Sequence, residues 1–205
     1  MENIVKAFYH DGYQLGMKAT KSGITAEGTF DALQEMYAAI DNLNDSLLDL
    51  ARQQGQPIHC KKGCSWCCHQ PIFALEYELD YLKAYILNNF SGQEQDAISK
   101  RAAAKNDKLK NLKDDALLNS KSPCPLLKDG TCTTYTVRPM ACRIYLSTNV
   151  DSCLRFYNHP EDKSSYPALL DFPMRAGRMM NEGFKAALKS AGAKVEEFRI
   201  EEKLC

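Results

Sequence analysis

Four cysteines fall within nine positions in the stretch CKKGCSWCCHQPIF, residues 60 to 73, and the last two are adjacent. A thiol cluster that dense must be cross-linked, buried as free sulfhydryls, or gathered on a metal. The N-terminus, MENIVKAFYHDGYQLG, lacks a basic start followed by an apolar stretch of signal-peptide length. No run approaches the 18 apolar residues of a membrane span. A cytoplasmic protein is therefore expected, and cytoplasmic thiols are held reduced, so metal ligands or a catalytic pair outrank a disulfide framework. Unpaired cysteine is also a common buried residue, but Lys61, Lys62, Ser65 and His69 among these thiols do not make a core stripe.

The rest of the thiol set lies in CPLLKDGTCTTYTVRPMACRIY, Cys124 to Tyr145, with Cys153 eight residues beyond. Setting aside Cys205 at the chain end, the candidate ligands are Cys60, Cys64, Cys67, Cys68, Cys124, Cys132, Cys142 and Cys153. Structural zinc takes four tetrahedral ligands and iron-sulfur clusters commonly take four thiolates, so eight cysteines suit two centres or one centre with reserves. In an extended backbone adjacent side chains point oppositely, so Cys67 and Cys68 are expected to serve different centres. One division gives the first three cysteines a partner from the second half and leaves Cys68 with the other three.

LKDGT is a hairpin signal. A two-residue Asp-Gly turn pairs Leu127 with Cys132 and sets Cys124 and Cys132 on opposite faces. A three-residue loop over Lys128, Asp129 and Gly130 pairs Leu127 with Thr131 and brings both thiols to one face, and this is the expected register if the two serve one centre. Arg138-Pro139 reads as the entry to a helical turn carrying Cys142 and Arg143. Lys61, Lys62, Arg138 and Arg143 adjoin cysteines and would lower thiolate pKa values and compensate thiolate charge. His59 and His69 flank the first cluster and are read as supporting or surface groups rather than ligands.

The remaining chain reads as helical. Leu33, Met36, Tyr37, Ile40, Leu43, Leu47 and Leu50 recur every three or four positions over 29–54, and Gly55 with Pro57 ends the pattern. A second stripe, Leu75, Leu79, Leu82, Ile86 and Phe90, predicts a helix packed beside the first, with Glu76, Glu78 and Asp80 in its early turns. Residues 93–119 predict a mostly solvated helix, and Met174, Gly177, Met180, Phe184 and Leu188 mark another whose methionines are core filler. A short segment with Val195, Phe198 and Leu204 follows. No alternating strand series or repeat occurs. The expected fold is mainly α: one domain, 1–205, with helical flanks 1–55 and 165–205 around an irregular cysteine-rich metal-binding core, 60–153, that holds one short β-hairpin. Twenty-six Lys and Arg balance twenty-six Asp and Glu, so there is no positive field for nucleic acid or an anionic membrane. The expected partner is a metal ion or cluster, with a protein partner left open.

Two enzyme motifs fit less well. Cys64-Ser65-Trp66-Cys67 is formally the C-x-x-C of a disulfide oxidoreductase, but its βαβ setting is absent. Cys60, Cys64 and Cys67 have the C-x3-C-x2-C spacing of radical S-adenosylmethionine enzymes, which Cys68 and the helical surroundings disturb. With both halves in view, CKKGCSWCC followed by CPLLKDGTCTTYTVRPMACRIY resembles the zinc- or iron-chelating cysteine-cluster family, whose pattern is C-x2/3-C-x2-C-C and later C-P-x-L, C-x-x-Y and R-P-x-x-C-R. The resemblance marks Cys60, Cys64, Cys67, Cys68, Cys124, Cys132 and Cys142 as ligands, and Cys153 fits a later, looser family cysteine. Larger proteins with a similar cluster are associated with flagellin lysine methylation. No glycine-rich strand-to-helix turn here supplies an S-adenosylmethionine site, and that activity is not carried over. The reading is a metal-binding protein holding an iron-sulfur cluster or zinc, iron slightly preferred, for metal handling, sensing or electron transfer. A metal-dependent enzyme and a zinc-structured interaction module are the alternatives.

Overall fold

Thr25 starts the longest helix by accepting a hydrogen bond from the Gly28 N–H at 3.1 Å through its side chain. This helix, α2 (Ala26–Gln53), follows α1 (Glu2–Thr20), and its Leu33, Met36, Tyr37 and Ile40 are buried as the spacing requires. The stripe leaves the core in the last turns, where Leu50 is exposed. Gly55, at φ +67°, follows the helix. The computed structural model describes residues 2–56, 58–162 and 164–205, without the side chains of Glu2, Ile4 and Val5, so Pro57 lies outside the described residues.

The chain continues through a 3₁₀ turn at Trp66–His69 to β1 (Phe73–Leu75), α3 (Glu76–Asn89), α4 (Gly92–Leu109) and α5 (Asp114–Leu118). The hairpin β2 (Leu127–Lys128) and β3 (Thr131–Cys132) comes next, then a 3₁₀ turn at Tyr135–Val137, α6 (Met140–Arg143) and α7 (Val150–Asn158). The chain closes with α8 (Asp171–Ser190), β4 (Glu197–Arg199) and α9 (Ile200–Leu204). The mainly helical expectation holds. The solvated helix over 93–119 is two helices, because residues 110–113 break it, and its buried face carries Ile98, Ala102, Lys105 and Leu109. The C-terminal segment supplies a strand that the sequence reading did not separate from its helix: β4 pairs antiparallel with β1, Phe73 opposite Arg199 and Leu75 opposite Glu197.

Two cores result. The first joins α1, α2 and α8 around Leu33, Met36, Ile40, Met180 and Phe184, and the second joins α3, α4 and α9 around Leu79, Leu82, Ile86, Ile98 and Ile200. Tyr81 of α3 packs against Phe30 and Tyr37 of α2, with ring centroids 5.2 and 6.2 Å away. The expected packing of these two helices is thus realised by aromatic contacts.

Helices α1 and α8 approach backbone to backbone. A Cβ on Gly12 would lie 1.8 Å from the Met180 carbonyl oxygen, and one on Gly183 would lie 2.0 Å from the Tyr9 carbonyl oxygen. Neither obstacle is a flexible side-chain end, so the helices must part to admit even a methyl group. Gly183→Ala is expected to lower stability by about 2–3 kcal/mol, seen as a lower urea midpoint. Gly92→Ala, in open space in the first turn of α4, is the control and should be neutral or stabilising.

Candidate metal centre

Each cysteine is positioned by a local device. In the first cluster the Cys64 N–H donates to the Lys61 carbonyl at 3.0 Å, closing a tight turn that requires Gly63 at φ +93°. The next turn is 3₁₀, closed by the Cys68 N–H to the Ser65 carbonyl at 3.0 Å. Cys67 and Cys68 are therefore not in extended backbone: with three residues per turn, their side chains diverge by about 120° rather than 180°.

The second half of the set is bonded onto the first through its backbone. The Cys124 N–H donates to the Cys68 carbonyl at 2.7 Å and the Ser122 N–H to the His69 carbonyl at 2.8 Å. The hairpin corrects the expected register. Leu127 pairs with Cys132 and Lys128 with Thr131 across a two-residue turn, in which Asp129 (φ +50°) and Gly130 (φ +73°) are both left-handed. Two such residues match the twist of the flanking strands. The face argument failed because it extended the strand back to Cys124. That residue instead opens a turn closed by the Leu127 N–H to the Cys124 carbonyl at 3.0 Å, so strand alternation does not fix the face of its thiol.

Helix α6 brings Cys142. Pro139 precedes it as the N-cap, and the Met140 N–H donates to Glu78 Oε1 at 2.7 Å. Arg143 is buried, forms an ion pair with Asp41, donates to the Thr136 and Arg138 carbonyls, and stacks 4.1 Å over the Tyr37 ring. It fastens α6 to α2. Helix α7 carries Cys153 and lies along the first cluster. Tyr157 packs on Trp66 and His69 at 5.1 and 5.0 Å, and the Val150 N–H donates to His59 Nδ1 at 3.4 Å. The His69 Nδ1 lies 3.1 Å from the Ser65 carbonyl. His59 is thus held by a backbone contact and His69 by backbone and aromatic contacts.

Seven of the eight cysteines line one cavity of about 1080 Å³, and Cys153 is buried and not part of that lining. Burial pushes the Cys124 thiol up to about 12 and the Cys142 thiol well above its ordinary range, and Cys60 and Cys132 rise for the same first reason. Cys68 moves the other way, down to about 7, chiefly because the Cys67 thiol hydrogen-bonds to it, with Lys105 and Arg138 adding to the effect; Cys67 is correspondingly raised. Arg138 offsets a small part of the rise at Cys60, Cys132 and Cys142. Lys61 and Lys62 are exposed.

Lys105 is the group that sequence reasoning missed. Its ammonium is buried, donates to the Gln70 carbonyl at 3.3 Å and lies 3.9 Å from Glu201, which in turn is 3.3 Å from Arg199. Its charge favours the thiolate form of both Cys68 and Cys124. Nothing in the Ala- and Lys-rich sequence of α4 distinguishes this lysine from its solvated neighbours except its seven-residue spacing from Ile98.

Eight thiols, a buried ammonium and a guanidinium fit a thiophilic cation or an iron-sulfur cluster in donor chemistry and in charge. Among the described residues, no three His, Cys, Asp or Glu side chains are disposed to hold a metal ion as they stand. No described helix is long and apolar enough to cross a membrane. In comparisons with known proteins, the model of the CxxCxxCC family, described as "Putative zinc- or iron-chelating domain", matches residues 59–166. No curated protein and no solved structure matches the chain.

Proposed function

Because this chain belongs to the CxxCxxCC family, we propose that it holds zinc or an iron-sulfur cluster through thiolates of Cys60, Cys64, Cys67, Cys68, Cys124, Cys132, Cys142 and Cys153, and serves metal handling, sensing or electron transfer in the cytoplasm. The observation that carries this reading is the convergence on one cavity of seven thiols from segments more than fifty residues apart, beside buried Lys105. Structural metal binding supplies on the order of 10 kcal/mol, which can draw the thiols of one cavity onto a metal. When bound, the metal supplies a divalent charge or a one-electron couple. The protein's residues supply ligands, countercharge and burial.

Anaerobic purification with visible absorption and quantitative iron, sulfide and zinc analysis tests the proposal. Iron with matching sulfide is the expected result, stoichiometric zinc in a colourless protein selects the zinc form, and a chain free of all metals overturns the reading. An enzymatic role is favoured by one observation: the cavity continues along a wall without cysteines, where Leu48 of α2 and Met174 and Met179 of α8 face it, and its volume is that of a ligand pocket.

Lys105→Met should weaken metal retention about tenfold in chelator competition, the lower end of the cost of losing a group that supports metal ligands. Lys62→Met, on the exposed turn, should leave retention unchanged. Equal retention in the two variants would show that Lys105 serves the fold alone.

A further inference from the structure

The core face of α2 does not end at Ile40. Asn44 and Leu48 continue it at helical spacing, and with Asp45 they line the cavity, as do Met174, Arg178 and Met179 of α8. Asn44 is 4% exposed, and its Nδ2 donates to the Arg143 carbonyl at 3.1 Å. That bond fixes the amide, because a flip would set Oδ1 against the same carbonyl. Oδ1 is therefore left buried without a donor, a costly state for an acceptor. Asp41, three residues earlier on this face, also has a buried Oδ1 without a hydrogen-bond donor; its neighbour is the Arg138 guanidinium at 3.5 Å. Asp45 and Arg178 have no hydrogen bond or ion pair among the described residues. Arg52 and Glu182 of the same lining are already paired, with Asp49 and Lys185.

We propose that this cysteine-free wall binds a small zwitterion, an α-amino acid with an apolar side chain. The ammonium donates to Asn44 Oδ1 and Asp41 Oδ1, with Asp45 as its counterion. The carboxylate pairs with Arg178, whose planar guanidinium matches it in shape and charge. The side chain lies on Leu48, Met174 and Met179, each half-buried. An ammonium has three donors and no acceptor, so it meets two acceptor oxygens and a carboxylate at once. A lone anion would meet the Asp41 and Asp45 charges, and a lone cation would leave Arg178 without a partner. A ligand that carries both charges satisfies every open group on this wall. A cavity of about 1080 Å³ has room for it. The inference does not rest on the metal-binding reading, since none of these groups is a thiol.

The test is calorimetric titration of the full chain, as purified, with three probes of one shape: L-leucine, isopentylamine, which lacks its carboxylate, and isocaproate, which lacks its ammonium. Wild type should bind L-leucine about fivefold more tightly than either of the others, the upper end of what one exposed ion pair contributes. Arg178→Gln should bring L-leucine down to the affinity of the amine and leave the amine unchanged. Asp45→Asn should bring L-leucine towards the affinity of the acid and leave the acid unchanged. Neither residue has a partner in the fold, so both variants keep it. Asn44→Ala should weaken L-leucine and the amine and spare the acid, with circular dichroism reporting the fold. No binding of L-leucine to wild type, equal affinity for the three probes, or an affinity for L-leucine that neither charge variant changes overturns the assignment. Metal content, measured on the same samples, should be equal in wild type and in the two charge variants, so a failed titration leaves the metal-binding reading standing.

Discussion

Glu78→Ala is expected to cost about 4 kcal/mol and to loosen α6 first. The carboxylate is 1% exposed and has no cationic partner among the described residues; it is held by four donors instead. Oε1 accepts from the Tyr37 hydroxyl at 2.9 Å and the Met140 N–H at 2.7 Å, and Oε2 from the Leu75 N–H at 3.1 Å and Asn181 Nδ2 at 3.2 Å. These donors belong to α2, α6, the start of α3 and α8, so one side chain fixes four elements. Truncation orphans buried donors at about 1–3 kcal/mol each, with water recovering part of the loss. Glu78→Gln keeps one acceptor oxygen and the volume, and should cost about half as much. Urea denaturation of the two variants reads the difference. A Glu78→Ala midpoint equal to wild type means that these hydrogen bonds do not hold the fold. Because Met140 begins the helix that carries Cys142, Glu78→Ala should also reduce metal content without removing a ligand.

Removing metal is expected to have the larger effect, confined to part of the molecule. The proposed ligands come from segments joined by few backbone bonds, chiefly those from Cys124 and Ser122. Binding on the order of 10 kcal/mol is shared between their assembly and the fold. The α1, α2 and α8 core uses no cysteine: its buried contacts are Leu33, Met36, Ile40, Met180 and Phe184, and the α1 to α8 glycine contacts. Chelation should therefore raise amide exchange over 60–73 and 122–153 by orders of magnitude while α2 and α8 stay protected. Protection unchanged in both regions after complete metal removal would mean that the cysteine region is held by its own packing.

The helices that bury a regular stripe were legible in the sequence, because a 3.6-residue period survives whatever they pack against. Leu33 to Ile40 and Leu79 to Ile86 are buried where that period puts them. The N-terminal flank was read as helical without its mode of packing: Gly12 and Gly183 act by lacking a side chain, which periodicity does not register. The hairpin was legible as a hairpin, and its register was misread because strand alternation was assumed past Leu127, where the chain already turns. Glu78 and Arg143 were read as an acid favoured by a helix dipole and a cation near thiols. Both are interior groups whose partners, Met140, Asn181 and Asp41, lie between 62 and 103 residues away in the chain. Long-range pairing of that kind leaves no local pattern. The cysteines themselves were legible as a set, since their density is a local property. Their grouping depends on Cys124 meeting Cys68 and on α7 folding back, both tertiary events.

The strand β4 and the charges that follow it have a temporal consequence. A ribosome that has released Cys153 has exposed every proposed ligand, yet Arg199 and Glu201, which complete the ion network around Lys105, are still to be made, as is the partner strand of β1. Until residues 197–201 emerge, the thiols are present without the ion network around Lys105 and without the partner strand of β1. Segment 197–201 is thus the last part of the scaffold around Lys105 to be translated after the thiols themselves.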